Sequence, residues 1–124
     1  MTIISIEDQD KDALSALSAA VTPFRMLNPA APMTISMLLT FITVAKHSRI
    51  TVNDLSKAVG INQSAISRQL QDMSVKDRFG AEGLGLIEQR VEGTYTLNSL
   101  TTKGQALARR MAAALDRRPV KVAA

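Results

Sequence analysis

The chain has 124 residues, which is enough for one domain with a single hydrophobic core. Hydrophobic residues make up 46%, which excludes a globally disordered chain, and aromatic residues only 3%, which argues against a platform that stacks single-stranded bases. The net charge of +4 favours a partner that carries phosphates. The sequence has no cysteine, so disulfides and thiolate metal sites are excluded.

Membrane association and export are not expected. The most apolar stretch, residues 35–45, is too short to cross a bilayer, which takes about 20 residues. The N-terminus lacks the basic run followed by an apolar stretch that is typical of a signal peptide. We therefore expect a cytoplasmic protein.

Residues 5–21 are predicted to form the first helix, with Ser5 as its N-cap. Leu14, Leu17 and Val21 form a thin apolar stripe along it. A stripe of this width suits packing against one neighbour, which is either a second subunit or the chain's own domain. Residues 22–32 contain three prolines and are predicted to be an irregular connector.

Residues 33–47 are predicted to form a central helix that is apolar on two faces, as is typical of a buried scaffold. The only histidine, His47, ends this helix, and with no second histidine or cysteine it is a poor metal ligand. The first apolar face contains Ile35, Leu38, Leu39, Ile42 and Ala45, and the second contains Met37, Phe41 and Val44.

Residues 51–73 are predicted to form two short helices joined by a tight turn. Thr51 is a suitable N-cap for the first helix, with Asp54 in its first turn. Gly60 ends that helix at a position where a left-handed residue is often needed. Asn62 is the expected N-cap of the second helix, whose apolar stripe consists of Ile66, Leu70 and Met73.

The face of the second helix opposite this stripe is polar and carries a single charge. Arginine can make two hydrogen bonds to guanine, glutamine two to adenine, and serine adapts to either base, so this composition suits the reading of base edges. The alternative is an ordinary solvated face on a helical hairpin. The candidate contacts are Gln63, Ser64, Ser67, Arg68 and Gln71, together with the backbone N–H groups that begin at Asn62.

Residues 74–84 are predicted to be a flexible loop, because glycines stand at positions 80, 83 and 85. Lys76 and Arg78 are candidate phosphate contacts and Phe79 a candidate anchor, although a surface loop without a function is slightly favoured. Residues 86–91 and 95–97 are predicted to be two strands joined by a turn.

This hairpin is a candidate β-wing, with Arg90 and Thr94 as its candidate DNA contacts. Residues 100–116 are predicted to form the last long helix, with Thr101 as its N-cap, and residues 119–124 a disordered tail. An apolar line along this helix suits packing on the chain's own core, and consists of Leu107, Met111 and Leu115.

In order, these segments resemble the winged-helix regulators of the MarR type. The resemblance covers roughly residues 32–115, and the sequence departs from it in the length of the 74–84 loop and in lacking the family's Asp-x-Arg near the wing tip. The matching pieces are the helix at 32–47, the helix-turn-helix at 51–73, the strand at Gly85-Leu86-Ile87, the hairpin at 88–97 and the pattern Leu100-Thr101-x-x-Gly104.

The resemblance implies a mainly α fold with a small β-wing, in which terminal dimerisation helices flank a winged helix-turn-helix. We expect a single winged-helix domain over residues 1–118, made of an N-terminal helix and connector (1–31), a core (32–97) and a C-terminal helix (98–118). The implied function is a transcription regulator that reads the major groove of duplex DNA with residues 63–73, as a homodimer on a palindromic site. The implied dimerisation residues are Leu14, Leu17, Leu107, Met111 and Leu115.

Two other functions remain open from the sequence. One is a winged-helix protein-interaction module for a polymerase, phage or conjugation component, because fold does not fix function. The other is sequence-neutral coating of DNA through the basic C-terminal residues. No nucleophile elbow, carboxylate pair or phosphate loop is present, so no enzyme activity, cofactor or metal is expected. MarR-type proteins often bind small aromatic effectors at the dimer junction, but no residue of this sequence indicates such a pocket.

Overall fold

The computed structural model describes residues 6–28, 33–76 and 80–116. In these ranges it contains five helices and one antiparallel sheet of three strands. None of the described helices has the length and apolar character needed to span a bilayer. The helices are α1 (Asp8–Arg25), α2 (Ile35–Lys46), α3 (Val52–Val59), α4 (Gln63–Asp72) and α5 (Thr102–Leu115), and the strands are β1 (Ile50–Thr51), β2 (Ile87–Glu92) and β3 (Tyr95–Leu100).

Helix α1 continues past its predicted end at Val21 and includes Pro23. Phe24 is only 1% exposed, and its ring centroid lies 5.4 Å from that of Phe41 in α2. This burial keeps the last turn helical, despite the backbone hydrogen bond that a proline cannot donate. The predicted connector is therefore wrong for residues 22–25. The predicted N-cap Ser5 lies outside the described residues.

Helix α2 is buried on one side only. Phe41 and Val44 are at most 1% exposed and face the other helices and the sheet. Ile35, Leu39 and Ile42 are 76%, 46% and 36% exposed, so the prediction of a helix buried on both sides is wrong. Apolar spacing tells which residues share a face, but it does not tell whether a neighbouring element covers that face.

Strand β3 lies in the centre of the sheet, between β1 and β2. It extends to Leu100 rather than to the predicted Leu97, because Asn98 pairs with both neighbours. The buried Asn98 side chain donates from Nδ2 to the Ile50 carbonyl at 3.0 Å and accepts from Gln89 Nε2 at 2.8 Å. Strand β1 was not predicted, since two residues carry no periodicity of their own.

Both described ends of the 74–84 loop are held by backbone hydrogen bonds. The Gly83 N–H donates to the Val75 carbonyl at 2.8 Å, and a Cβ built on Gly83 would overlap the carbonyl oxygen of Ser74. Glycine is thus needed here for a close approach of two backbones, and the prediction of a flexible loop is wrong for these ends. Lys76 is exposed, whereas Arg78 and Phe79 lie outside the described residues.

Candidate nucleic-acid interface

Helices α3 and α4 form the predicted helix-turn-helix. The Thr51 hydroxyl caps α3 by accepting from the Asp54 N–H at 3.2 Å, and Gly60 ends it with a left-handed φ of 83°. The Asn62 side chain caps α4 by accepting from the Ala65 N–H at 2.8 Å. The predicted helix ends at all three residues are confirmed, because each prediction rests on a local requirement of the backbone that the residue type meets.

One face of α4 is open to solvent. Ser64, Arg68 and Gln71 are exposed, and their spacing of four and then three residues places them in one row along the helix. The Arg68 Nε–H donates to the Ser64 carbonyl at 3.3 Å, which lays the arginine along the helix surface. The opposite side of α4 is anchored in the core by Ile66 and Leu70, both 0% exposed.

The other predicted contacts on α4 have different environments. Asn62 is exposed, but its side-chain oxygen is used by the cap. Gln63 is also exposed, and its Nε2 donates to Asn53 Oδ1 in α3 at 3.0 Å, so it ties the two helices together. Ser67 is half-buried at the edge of the open face. The structure therefore gathers Ser64, Arg68 and Gln71 into one surface and leaves the remaining three at its borders.

The β2–β3 hairpin forms the predicted wing, with Gly93 in its turn at a φ of 60°. Thr94 is exposed beside it. Arg90 is exposed as well, but Glu88 and Glu92 flank it on the same face of β2, because alternate residues of a strand share a face. Glu92 forms an ion pair with Arg49 at 3.2 Å. A phosphate that approaches Arg90 therefore also meets two carboxylates.

No family model matches the sequence, and no curated protein sequence matches it. Solved structures do match its fold. MepR, a transcription regulator from Staphylococcus aureus, has a TM-score of 0.61 and 18% identity over 87% of this chain and 70% of its own. For wild-type MarR from E. coli the TM-score is 0.60, with 16% identity over 94% and 80% of the two chains. For the multiple antibiotic-resistance repressor MarR from Listeria monocytogenes the TM-score is 0.58, with 24% identity over 85% of this chain and 62% of that repressor's chain.

The chain has the MarR-type winged-helix fold. The likeness predicted from five sequence segments is thus confirmed at the level of the fold, with terminal helices flanking a helix-turn-helix and a wing. The printed names of two of these structures describe a transcription regulator and a multiple antibiotic-resistance repressor.

The predicted dimerisation residues divide into two groups by their exposure. Leu14 and Leu17 on α1 are 56% and 49% exposed, and Leu115 on α5 is 54% exposed. Leu107 and Met111, in contrast, are only 8% and 7% exposed, because α5 packs them into the core of its own chain. A subunit contact through α1 and α5 stays a prediction, and it is narrowed to the three exposed leucines.

Sequence reasoning missed two polar residues that hold α4 against its neighbouring helices. Asn53 in α3 accepts from Gln63, and Gln69 in α4 bonds to α2. Neither belongs to a recognisable motif, because both depend on which helix faces which in three dimensions. Among the described residues, no group of three histidine, cysteine, aspartate or glutamate side chains is arranged to hold a metal ion.

Proposed function

We propose that this protein is a transcription regulator that binds duplex DNA in a sequence-specific manner. The observation that carries the proposal is the open row of Ser64, Arg68 and Gln71 on the second helix of a helix-turn-helix. In such motifs the second helix enters the major groove and places its side chains against base edges. The pI near 9.9 adds a general attraction to the phosphate backbone.

Each residue of the open row on α4 has a role that suits its chemistry. Arg68 reads a guanine through two hydrogen bonds, after its weak bond to the Ser64 carbonyl is exchanged for the base. Gln71 reads an adenine, and Ser64 accepts or donates according to the base it meets. The helix start at Asn62 and Gln63 points backbone N–H groups at a phosphate, which fixes the register of the helix on the duplex.

The wing has a smaller role in this proposal. Thr94 is a candidate hydrogen-bond donor to a phosphate at the exposed turn. Arg90 is the candidate cation of the wing, but its two flanking carboxylates weaken any attraction to the DNA backbone. We therefore assign sequence preference to α4 and only backbone contact to the wing.

The proposal includes a homodimer on a palindromic site. Helices α1 and α5 pack against each other. Within this helical pair, leucines 14, 17 and 115 remain exposed and form apolar surface that a second subunit could cover. Asp8 and Asp10 in the first turn of α1, and Arg109 and Arg110 on α5, supply opposite charges for pairs across a two-fold axis. Two such subunits would present two copies of α4 to half-sites about one DNA turn apart.

We also propose a single domain, a cytoplasmic location and no required effector. Residues 1–118 are taken as one winged-helix domain that acts on DNA in the cytoplasm. A small-molecule effector is not required, although an open cleft of about 360 Å³ lies between the end of α2 and α5, with His47, Gln105 and Arg109 in its lining.

A second candidate function is a protein-interaction module, and the wing supplies the observation that favours it. Val91 and Tyr95 are 72% and 64% exposed on the two strands of the hairpin. The register pairs Tyr95 with Glu92 and Val91 with Thr96, so the two apolar side chains lie on opposite faces of the hairpin. A hairpin that meets phosphates is expected to present cations, whereas an exposed apolar side chain on each face suits contact with a protein. The two functions differ in whether DNA is the ligand, so one experiment separates them.

The experiment is selection of bound duplexes from a random library at near-physiological salt. Enrichment of a palindrome supports the proposed regulator and gives its operator. Binding without enrichment would indicate sequence-neutral coating, which should also show steep salt dependence. Absence of binding would reject a DNA-binding function and leave the protein-interaction module.

A further inference from the structure

A buried polar cluster lies in the contact between α2 and α4. The Thr40 hydroxyl donates to Gln69 Oε1 at 2.7 Å, and Gln69 Nε2 donates to Ser36 Oγ at 2.7 Å. Thr40 is 0% exposed, and the other two residues are half-buried. We refer to Ser36, Thr40 and Gln69 as the polar clamp.

Both ends of the Gln69 amide are used in the polar clamp. Its oxygen accepts from one residue of α2 and its nitrogen donates to another, four positions earlier on the same helix. Thr40 has a single hydroxyl hydrogen, which Gln69 Oε1 shares with the Ser36 carbonyl at 3.0 Å. An amide bonded at both ends favours one position of α4 along α2, because hydrogen bonds weaken as the donor–acceptor distance grows beyond about 3.2 Å.

The polar clamp lies on a different side of α4 from the open row of Ser64, Arg68 and Gln71, which we call the reading row. At about 100° per residue, Gln69 is about 160° around the helix axis from Gln71, about 140° from Ser64 and about 100° from Arg68. A rotation or slide of α4 against α2 that moves this row therefore also displaces the Gln69 amide from its two partners on α2. The neighbouring contacts of Ile66 and Leu70 are apolar, and such contacts do not define one orientation as strictly as hydrogen bonds do.

From this geometry we infer that the polar clamp sets the orientation of α4 and thereby the base preference of the reading row. Gln69 is a positioning residue: it does not contact DNA itself, although it has the side chain of a base reader. This inference rests on the proposed function. A purely stabilising role would not require hydrogen bonds, because apolar residues of matching volume at all three positions stabilise a helix contact about equally well.

The test compares base preference in variants that remove or keep the Thr40 hydroxyl. Thr40→Val keeps the shape and loses the donor, and Thr40→Ser keeps the donor. We expect the ratio of affinities for the selected duplex and for a shuffled duplex to fall about tenfold in Thr40→Val, and to stay within about twofold in Thr40→Ser. The affinity for the shuffled duplex should change little, since phosphate contacts do not depend on the angle of α4 to the same extent.

A second variant covers the case in which Thr40→Val fails to fold. Ser36→Ala, Thr40→Val and Gln69→Leu together replace the polar clamp by apolar side chains and leave no unpaired partner. We expect this variant to keep a thermal midpoint close to that of the wild type and still to lose most of its base preference. NMR tests the polar clamp in the wild type without DNA. The side-chain amide hydrogens of Gln69 should exchange slowly with solvent, and their resonances should shift in Ser36→Ala.

These experiments distinguish a failure of the inference about the polar clamp from a failure of the proposed DNA-binding function. If the wild type selects a site and the apolar variant selects it with an unchanged affinity ratio, the inference is overturned and the proposed function stands. If the wild type shows no base preference, the proposed function fails, and the inference fails with it. A freely exchanging Gln69 amide would contradict the polar clamp itself, whatever the DNA experiments give.

Discussion

Gly104 in α5 lies directly against the carbonyl oxygen of Leu86. A Cβ built on Gly104 would overlap that oxygen and lie 3.3 Å from the Cβ of Leu100. The same carbonyl accepts from the N–H of Thr101, the N-cap of α5, at 3.0 Å. The start of α5 and the entry to β2 are thus joined at one backbone contact, which accounts for the glycine in the Leu-Thr-x-x-Gly pattern.

Gly104→Ala should destabilise the fold by about 2 kcal/mol or more, because the new methyl group meets backbone atoms that other hydrogen bonds hold in place. Urea denaturation measures the loss. Gln105→Ala, at the adjacent exposed position of the same helix, is the control and should change the free energy of unfolding by no more than about 0.5 kcal/mol. Equal stability of Gly104→Ala and the wild type would contradict the close contact.

Gly60→Ala should cost about 1–2 kcal/mol for a different reason. Nothing lies within 4 Å of a Cβ at this position, so the cost comes only from the left-handed φ of 83°. Gly60→Asn should recover part of the loss, because asparagine tolerates this conformation better than alanine does. Thermal unfolding of both variants tests the point. An alanine variant more stable than the asparagine variant would show that backbone strain is not the cause.

Asn98→Ala should destabilise the sheet by about 1–3 kcal/mol, because it removes the buried bond to the Ile50 carbonyl and the part-buried bond from Gln89. Ser99→Ala, on the more exposed side of the same strand, is the control and should have a small effect. Chemical denaturation of both variants gives the comparison. An effect no larger than that of the control would mean that the Asn98 side chain does not hold the three strands together.

Leu17→Asn should weaken the proposed dimer by about tenfold or more, since it replaces an exposed apolar side chain that a second subunit would bury. Analytical ultracentrifugation measures the dissociation constant. Ser15→Asn, exposed on another side of α1, is the matched control and should leave the constant unchanged. A wild-type protein that remains monomeric at high concentration would rule out the dimer.

Local signals in the sequence were sufficient for the helix-turn-helix. Thr51, Gly60 and Asn62 mark helix ends, and each meets a requirement of the few residues around it. The fold class followed from the order of such segments. The open row on α4 was predicted for the same reason, because a helical repeat places polar residues opposite an apolar stripe.

The failures arose where distant parts of the chain decide the outcome. Helix α1 continues through Pro23 because Phe24 is buried against Phe41 in another helix. Strand β1 exists only because Ile50 pairs with Asn98, far along the chain. The bonds of Gln69 to α2 likewise require knowledge of the α2–α4 contact, so the sequence alone gives this glutamine no special role.

The most direct test of the account is the affinity of Arg68→Ala for the selected duplex and for a shuffled one, at a fixed salt concentration. Arg25→Ala, which removes the same charge from an exposed position in the last turn of α1, is the control. If α4 reads bases, Arg68→Ala should lose roughly 1–3 kcal/mol on the selected duplex alone, and the control should keep its preference. An equal loss on both duplexes, or an unchanged preference in Arg68→Ala, would contradict base reading by α4.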